Sequence, residues 1–184
     1  MQILKPSKKS LKIAVEVLSN GGVVVCPTDT VYGFLVDAEN KKAINKIYKI
    51  KKRPKSKSLP VFIFSIKKAK EIAEISTDQE KILKKYWPGK YTFVLKAKSQ
   101  KLKVKNNTIA LRMPNHKFLL SLLKKFGKPL AQTSVNISGQ PELNKVEDMA
   151  KISGIDLIID ASRLPKRKPS KVFDMVGKVL TKLR

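Results

Sequence analysis

The feature that most constrains this fold is the segment from Gly21 to Pro60. It opens with two glycines and continues into a run of strand-forming residues, Val23 to Cys26, followed by the polar sequence Pro27-Thr28-Asp29-Thr30. An apolar run bounded by turn residues is typical of a buried strand, and open α/β sheets bind ligands where such strands end. A basic cluster from Lys51 to Lys57 follows. The segment therefore predicts a site for an anionic ligand at a sheet edge.

Hydrophobic periodicity predicts helices along the rest of the chain. Apolar residues at helical spacing predict helices over 10–18, with Ser10 as the cap, and over 66–75 and 116–126. Asn40 is expected to cap a helix whose buried face is formed by Ala43, Ile44, Ile47 and Tyr48. Thr77 is expected to cap the next helix, which ends at Trp87 because proline disfavours helical geometry in the residue before it.

Six further apolar runs predict strands. They lie at 59–64, 91–95, 108–112, within 129–139 where the strand runs into a polar loop, and at 156–160 and 172–176. A basic, proline-containing loop at 164–170 joins the last two. Because helices join some strands and only loops join the last ones, we expect an α/β fold with a mixed sheet. The length of 184 residues, without repeats or a low-complexity linker, predicts a single domain over 1–184.

Charge and cysteine content narrow the functional class. The sequence has 40 Lys and Arg against 14 Asp and Glu, a net charge of +26 that favours contact with polyanions. Scattered lysines on solvent-facing helices are the alternative explanation. The single cysteine, Cys26, excludes an internal disulfide framework and fits a reducing compartment. Neither a signal peptide nor an apolar run near 18 residues occurs, so we expect a cytoplasmic protein without a membrane partner.

Each candidate site residue has an ordinary structural explanation beside the functional one. Thr28 and Thr30 either hold a polar substrate group or cap a turn. Lys51 and Arg53 either bind phosphate, for which guanidinium is a planar donor, or complement the carboxyl end of a helix. Arg112 ends an apolar strand, and it either takes an anionic partner or lies on the surface.

A second group of polar residues follows a predicted strand. Thr133-Ser134-Val135-Asn136 would be costly to bury without partners, so the polar side chains either bond one another or face a ligand. Tyr32 is more often a core-edge aromatic than a ligand contact. His116, the single histidine, is expected to cap a helix or to lie exposed, which argues against Ser-His-Asp chemistry and a zinc site. No glycine-rich nucleotide motif of the P-loop or Rossmann type occurs.

Six short motifs occur in order over nearly the whole chain. They are GGVVVCPTDTVYG, KKRP with Lys57 after it, WPGKYTFVL, ALRMP, TSVNISGQP and PSKVFDM before Leu183-Arg184. Each motif is modest alone, but the set resembles the YrdC/TsaC family of threonylcarbamoyl-AMP synthases. The resemblance implies a YrdC-like fold with a twisted mixed sheet, flanking helices and a concave basic cleft.

The resemblance also implies an activity. Such an enzyme is a nucleotidyltransferase that converts L-threonine, bicarbonate and ATP, with Mg²⁺, into threonylcarbamoyl-AMP and pyrophosphate. A separate transferase complex then attaches the threonylcarbamoyl group to a tRNA adenosine. The family needs no protein nucleophile or protein metal ligand for this, since positioning and charge stabilisation suffice.

Site residues carried over from the motifs fall into three groups. The resemblance implies catalytic roles for Lys51 and Arg53. It implies a threonine and bicarbonate site at Thr30, Tyr32, Arg112 and Ser170. It implies a nucleotide site at Lys51, Arg53, Lys57, Thr108, Ser134, Asn136 and Arg184. The chain departs from the family pattern at Phe34, Phe62 and Lys171, the last of which places an extra cation beside Ser170.

Two other functions compete with the synthase. A module that binds tRNA or structured RNA through a basic concave surface would explain the charge of +26, because recognition of RNA shape and phosphate needs no sequence motif. A carbamoyl-transfer relative of hydrogenase-maturation proteins is disfavoured, because acylphosphatase-like and zinc-finger segments are lacking. Cations confined to a cleft favour the enzyme, whereas RNA binding also needs lysines on the helix faces.

Overall fold

The computed structural model describes residues 1–98, 102, 106–165, 167–177 and 180–184. Position 166 of the predicted basic loop lies outside the described residues. The helices are α1 (Lys8–Ser19), α2 (Lys41–Ile50), α3 (Ile66–Ile72), α4 (Thr77–Tyr86), α5 (Lys117–Phe126) and α6 (Val146–Ala150). The strands are β1 (Gln2–Leu4), β2 (Val24–Cys26), β3 (Gly33–Asp37), β4 (Val61–Phe62), β5 (Tyr91–Lys96), β6 (Thr108–Arg112), β7 (Leu130–Ser134), β8 (Leu157–Ile159), β9 (Lys171–Asp174) and β10 (Thr181–Lys182).

These strands form one mixed sheet, which confirms the predicted α/β class. The strand order is β1-β8-β2-β3-β7-β4-β6-β5-β9-β10. Parallel pairing joins β1 to β8, β8 to β2, β4 to β6 and β5 to β9, and antiparallel pairing joins the others. The register aligns Cys26, Gly33 and Ser134, so the end of β2 lies beside the end of β7.

The central strands β2 and β3 are buried on both faces. Because alternate side chains of a strand point to opposite sides of the sheet, one strand contributes to two cores. In β2, Val25 belongs to a core shared with α2, whereas Val24 and Cys26 belong to a second core shared with α1 and α5. Burial raises the pKa of the Cys26 thiol far above its usual range, so the thiol stays protonated. A buried, protonated thiol of this kind is chemically inert.

The helix caps confirm some sequence predictions and correct others. Asn40 caps α2, and His116 caps α5 by accepting a hydrogen bond at Nδ1 from the Leu119 amide. The cap of α1 is Ser7 rather than Ser10, which is instead the third helical residue of the capping box. The cap of α4 is likewise Ser76 rather than Thr77, with Gln79 completing the box. The predicted cap was therefore three residues late in α1 and one residue late in α4.

Several short elements lie outside the predicted set. β1, β3, β10 and α6 were not predicted, and α3 ends at Ile72 rather than 75. Within the described ranges, no helix is long and apolar enough to cross a membrane.

Candidate functional site

Arg112, at the end of β6, lies in the middle of the candidate site. Its side chain is buried, with 2% of the residue exposed, so the alternative of a surface position is wrong. Its Nε donates to the Gly89 carbonyl (3.1 Å), Nη1 donates to Thr30 Oγ1 (3.3 Å), and Nη2 donates to Asp29 Oδ1. The guanidinium also lies 5.5 Å from the centre of the Phe62 ring. The expected anionic partner of Arg112 is therefore Asp29.

Asp29 is buried and only half satisfied. Its Oδ1 forms the ion pair with Arg112, whereas Oδ2 is buried without a hydrogen-bond partner in the described part of the chain. Its main-chain oxygen accepts a hydrogen bond from Arg167 Nη1 at 3.2 Å. An unsatisfied buried carboxylate oxygen is unfavourable, and such an atom in a native fold calls for an explanation.

The two threonines beside Asp29 have different roles. Thr28 Oγ1 donates to the Val31 carbonyl (2.7 Å) and accepts from the Thr30 amide (3.0 Å), so Thr28 caps the turn. Because its single hydroxyl hydrogen is used, the 3.0 Å contact between the two hydroxyls has Thr30 as donor. Thr30 Oγ1 is then the acceptor for Arg112. Thr30 joins the turn to the buried cation.

Lys51, the C-cap residue directly after α2, is the second buried cation. Its Nζ donates to the carbonyls of Ser134 (2.7 Å) and Asn136 (2.9 Å) and to Asn136 Oδ1. Ser134 Oγ also donates to Asn136 Oδ1 at 2.9 Å, so these polar groups bond one another, one of the two alternatives left open. Burial, together with the charge of Arg53, lowers the pKa of Lys51 to about 8.

Arg53 and Lys57 belong to the loop after α2. Arg53 donates from Nε to the Lys57 carbonyl (3.2 Å) and from Nη2 to the Ser58 carbonyl (3.1 Å). Partial burial lowers the pKa of Arg53, and the charge of Arg184 contributes to the shift. Lys57 is exposed.

Arg184 acts electrostatically on both Arg53 and Arg112. Its charge adds to the lowering of the pKa of Arg112 as well as of Arg53, so the Arg184 guanidinium lies within electrostatic range of both groups. Nε and Nη2 of Arg184 donate to the Ser170 carbonyl at 3.3 and 3.0 Å. Ser170 itself is buried, and its hydroxyl bonds that of Thr92 at 3.0 Å.

A cavity of about 590 Å³ opens beside Arg184 and is strongly basic. Its described lining contains six basic residues and no acidic one: Lys90, Tyr91, Arg167, Lys168, Pro169, Ser170, Lys171, Lys182 and Arg184. Lys171 lies 5.8 Å from the centre of the Tyr91 ring. Several helix lysines, by contrast, are paired with acids, as in Lys68–Glu71 and Lys84–Glu80.

The Tyr32 hydroxyl bonds main-chain groups, and Thr108 lies at the far end of β6 from Arg112. The Tyr32 hydroxyl donates to the Ser162 carbonyl (2.7 Å) and accepts from the Ala161 amide (3.0 Å), as a core-edge aromatic would. Tyr32 and Arg167 also line a cavity of about 270 Å³. Thr108 is at the opposite end of β6 from Arg112, about 13 Å away along an extended strand. Its role as a nucleotide contact stays a prediction.

The structure adds Asp29 and Arg167, which the sequence analysis did not nominate. Asp29 stands between two nominated threonines after a buried strand, which is a usable signal. No sequence signal singles out Arg167 from the other basic residues of its loop. In the described residues, no group of three or more His, Cys, Asp or Glu side chains could hold a metal ion.

Comparison with known proteins links this chain to one family of proteins. The model of the Sua5/YciO/YrdC family, described as "Telomere recombination", matches residues 16–184. Threonylcarbamoyl-AMP synthase of Bacillus subtilis is 36% identical over 142 residues, which is 74% of this chain and 41% of the relative. The putative threonylcarbamoyl-AMP synthase of Methanocaldococcus jannaschii is 31% identical over 182 residues, 96% of this chain and 86% of the relative.

Solved structures resemble the whole chain. Pyrococcus abyssi Sua5 complexed with L-threonine has a TM-score of 0.91 at 30% identity, covering 100% of this chain and 57% of that one. Escherichia coli YciO has a TM-score of 0.89 at 26% identity, covering 100% of this chain and 94% of that one. The chain thus spans less than half of the Bacillus relative and over half of P. abyssi Sua5, but most of the other two.

Proposed function

This chain belongs to the Sua5/YciO/YrdC family, and on that basis we propose that it is a threonylcarbamoyl-AMP synthase. In this proposal it converts L-threonine, bicarbonate and ATP into threonylcarbamoyl-AMP and pyrophosphate, and is therefore a nucleotidyltransferase. The observation that carries the proposal is the likeness over the full chain, at a TM-score of 0.91, to a Sua5 with L-threonine bound. The product would supply a cytoplasmic transferase complex that modifies a tRNA adenosine.

The threonine side of the site centres on Arg112 and Thr30. A guanidinium is a planar donor that suits a carboxylate, and burial strengthens such a charge-assisted contact. Arg112 would therefore take the threonine carboxylate, with the Thr30 hydroxyl beside it at 3.3 Å from Nη1. Tyr32 and Ser170 would line the same side.

The nucleotide side is built from cations and polar loops. Arg53, Lys57 and Arg184 would hold the ATP phosphates, and ATP enters as its magnesium complex. Lys51 would reach the reacting groups by redirecting one of its three N–H bonds, which it now donates to residues 134 and 136. Thr108, Ser134 and Asn136 would contact the nucleotide. These residues stabilise developing negative charge without a protein nucleophile.

The direct test is pyrophosphate release by the purified protein with ATP and magnesium, omitting threonine or bicarbonate in turn. We expect release only when both are present. Arg53→Ala should lower the rate by about 100-fold or more, the scale for a lost charge-stabilising donor, whereas Lys41→Ala on the exposed start of α2 should not change it. Release without threonine, or equal effects of the two variants, would contradict the proposal.

The cationic cavity, rather than the helix-face lysines that the sequence criterion calls for, supports RNA binding as a second candidate function. Among the residues of this cavity that the structure describes, six are basic, one is aromatic and none is acidic, which matches the composition of sites that hold a nucleic-acid backbone. Fluorescence anisotropy with labelled tRNA should show affinity that falls steeply with salt and is weakened in Lys168→Glu/Lys182→Glu. The paired helix lysine variant Lys84→Glu is the matched control. Equal binding by all three proteins would reject a tRNA site in this cavity.

A further inference from the structure

The unsatisfied Oδ2 of Asp29 is the polar atom that the fold explains least. Among the described residues, the only other buried side-chain oxygen or nitrogen without a partner is the Ser138 hydroxyl, which is neutral. A carboxylate oxygen is far more costly to leave without a donor than a hydroxyl. The presence of the unsatisfied Oδ2 in a loop that contacts Arg112 therefore indicates that a ligand supplies the missing donor.

The Arg112–Asp29 pair is also not arranged as a purely structural ion pair. Arginine and a carboxylate often pair through two parallel hydrogen bonds, which satisfies both oxygens. Here Asp29 offers only Oδ1 to Nη2, and Nη1 goes to Thr30 Oγ1 instead. The Thr30 contact thus occupies the guanidinium position that a second carboxylate oxygen would use, and Oδ2 is left over.

Among the described residues, no basic group donates to this oxygen. Arg167 donates to the main-chain oxygen of Asp29 instead, and His116 accepts at Nδ1 in the α5 cap without donating from Nε2 to Asp29 Oδ2. Arg167 lines both the cavity of about 270 Å³ and the cavity of about 590 Å³. Because Arg167 also bonds Asp29, its side chain connects the Asp29 loop to each cavity.

A free α-amino acid has the complementary chemistry. Its carboxylate and ammonium are carried on one carbon atom, and an ammonium offers three donors. The guanidinium of Arg112 can pair with the carboxylate of such a ligand while the carboxylate of Asp29 pairs with its ammonium. Binding a zwitterion also adds no net charge to the buried site. Because the amine is the atom that reacts with the bicarbonate-derived carbon, holding it in place also positions the reaction.

We propose that Arg112 and Asp29 together form a receptor for a zwitterionic α-amino acid, in which Asp29 Oδ2 accepts the substrate ammonium. The inference rests on the proposed synthase function and adds to it a residue that selects for the free amino group. Asp29 is a binding and positioning residue here, and no proton transfer is assigned to it.

The test compares two ligands that differ only in the amino group. L-Threonine and 3-hydroxybutyrate, which is threonine without that group, are titrated calorimetrically into wild type, Asp29→Asn and Asp37→Asn. Asp37 is the matched control, because it is also a buried aspartate paired with a basic side chain, Lys128. We expect wild type and Asp37→Asn to prefer threonine by about tenfold or more, the effect of one charge-assisted hydrogen bond. Asp29→Asn should bind the two ligands within about twofold of each other.

The ratio of the affinities for threonine and 3-hydroxybutyrate separates a recognition role of Asp29 from a structural one. If Asp29 only holds Arg112, its loss weakens both ligands equally and the ratio stays as in wild type, which overturns the proposal. Equal binding of both ligands by wild type also overturns it. If Asp29→Asn does not fold by circular dichroism, Asp29→Glu, which keeps the charge but displaces it, should reduce the ratio instead.

Failure of the synthase proposal gives a different pattern. If wild type releases pyrophosphate only with threonine but the ligand ratio is insensitive to residue 29, only the Asp29 proposal is wrong. If wild type neither binds threonine nor releases pyrophosphate, both proposals are wrong.

Discussion

Lys51 and Arg112 are both buried cations, but the fold satisfies them in different ways. Each is 2% exposed and lies over an aromatic ring, Lys51 over Phe34 of one core and Arg112 over Phe62 of the other. Lys51 donates to three neutral oxygens of residues 134 and 136. Arg112 instead has a carboxylate partner with one oxygen unused.

The difference has electrostatic consequences. Neutral acceptors offset the burial of a charge less than an opposite charge does, and burial together with the charge of Arg53 lowers the pKa of Lys51 to about 8. Burial also lowers the pKa of Arg112, but the Asp29 carboxylate opposes the shift, and a guanidinium keeps its proton in proteins. Within the described residues, the Lys51 ammonium donates to three oxygens, and the unsatisfied group next to it is the neutral Ser138 hydroxyl, whose residue bonds the Lys51 carbonyl through its amide. The Arg112 region instead has a carboxylate oxygen left as an acceptor for a ligand.

The largest effect is expected from Arg112→Met, which leaves the buried Asp29 charge unpaired. Loss of one partner of a buried ion pair costs about 3–5 kcal/mol in the free energy of unfolding, and threonine binding should be lost as well. Urea denaturation and calorimetry measure the two effects. Adding Asp29→Asn to Arg112→Met should restore part of the stability but no threonine binding. A single variant as stable as wild type would show that the pair is not closed off from water.

Lys51→Met should have the next largest effect on stability. It leaves the carbonyls of Ser134 and Asn136 without their donor, at about 1–3 kcal/mol for buried acceptors. Urea denaturation at pH 7 gives the value. An unchanged free energy of unfolding would mean that water replaces the ammonium, and the contrast with Arg112 would disappear.

Lys51 should also make stability depend on pH in the alkaline range. Its pKa of about 8 in the folded protein lies below the ordinary 10.5. Between these pH values the unfolded chain binds more protons than the folded one, so the free energy of unfolding rises with pH. The stabilising contribution is complete above 10.5 and is lost as the pH falls through 8. Denaturation at pH 8, 9 and 10 should show a steeper rise for wild type than for Lys51→Met, and parallel curves would contradict the assignment.

A smaller effect is expected at His116, whose charge state is coupled to the Asp29 region. Burial lowers the pKa of His116 below its usual 6.5, and its Nδ1 is the acceptor that caps α5. Protonation removes that acceptor, so stability is lost as the pH falls below about 6.5. His116→Ala should cost about 1 kcal/mol at pH 7 and flatten this acid dependence, whereas His116→Asn keeps a cap. Thermal melts from pH 7.5 to 5 measure both, and equal slopes for wild type and His116→Ala would exclude the histidine as the cause.

Local signals predicted the helix α2 and the strand β6 well. The Asn40 cap and the apolar spacing of α2 are all contained within about ten residues, and the bounds of β6 coincide with the prediction, 108–112. The starts of α1 and α4 were misplaced because each has two neighbouring hydroxyl residues that could serve as the cap, and sequence alone does not rank them. The strand β1 has only three residues and is defined by pairing with β8, which is distant in sequence.

Contacts between residues distant in sequence also limited the prediction of the candidate site. The burial of Arg112 depends on Asp29, which is 83 positions away, and Lys51 finds its acceptors 83 and 85 positions away. No local pattern encodes such pairings. Family motifs nominated Arg112, Thr30 and Lys51, but not the half-satisfied state of Asp29. The functional roles of these residues stay predictions until the ligands are measured.

The strand order has a consequence for how the molecule is made. When only the first 120 residues have left a ribosome, the strands available are β1 to β6, which can pair as β2 with β3 and as β4-β6-β5, while β1 has no neighbour. Strand β7 then joins the two groups by inserting between β3 and β4, and β8 adds β1 by inserting between it and β2. Pairings between such distant segments form slowly. The sheet is therefore completed only after most of the chain has been synthesised, and until then its pieces have exposed edges.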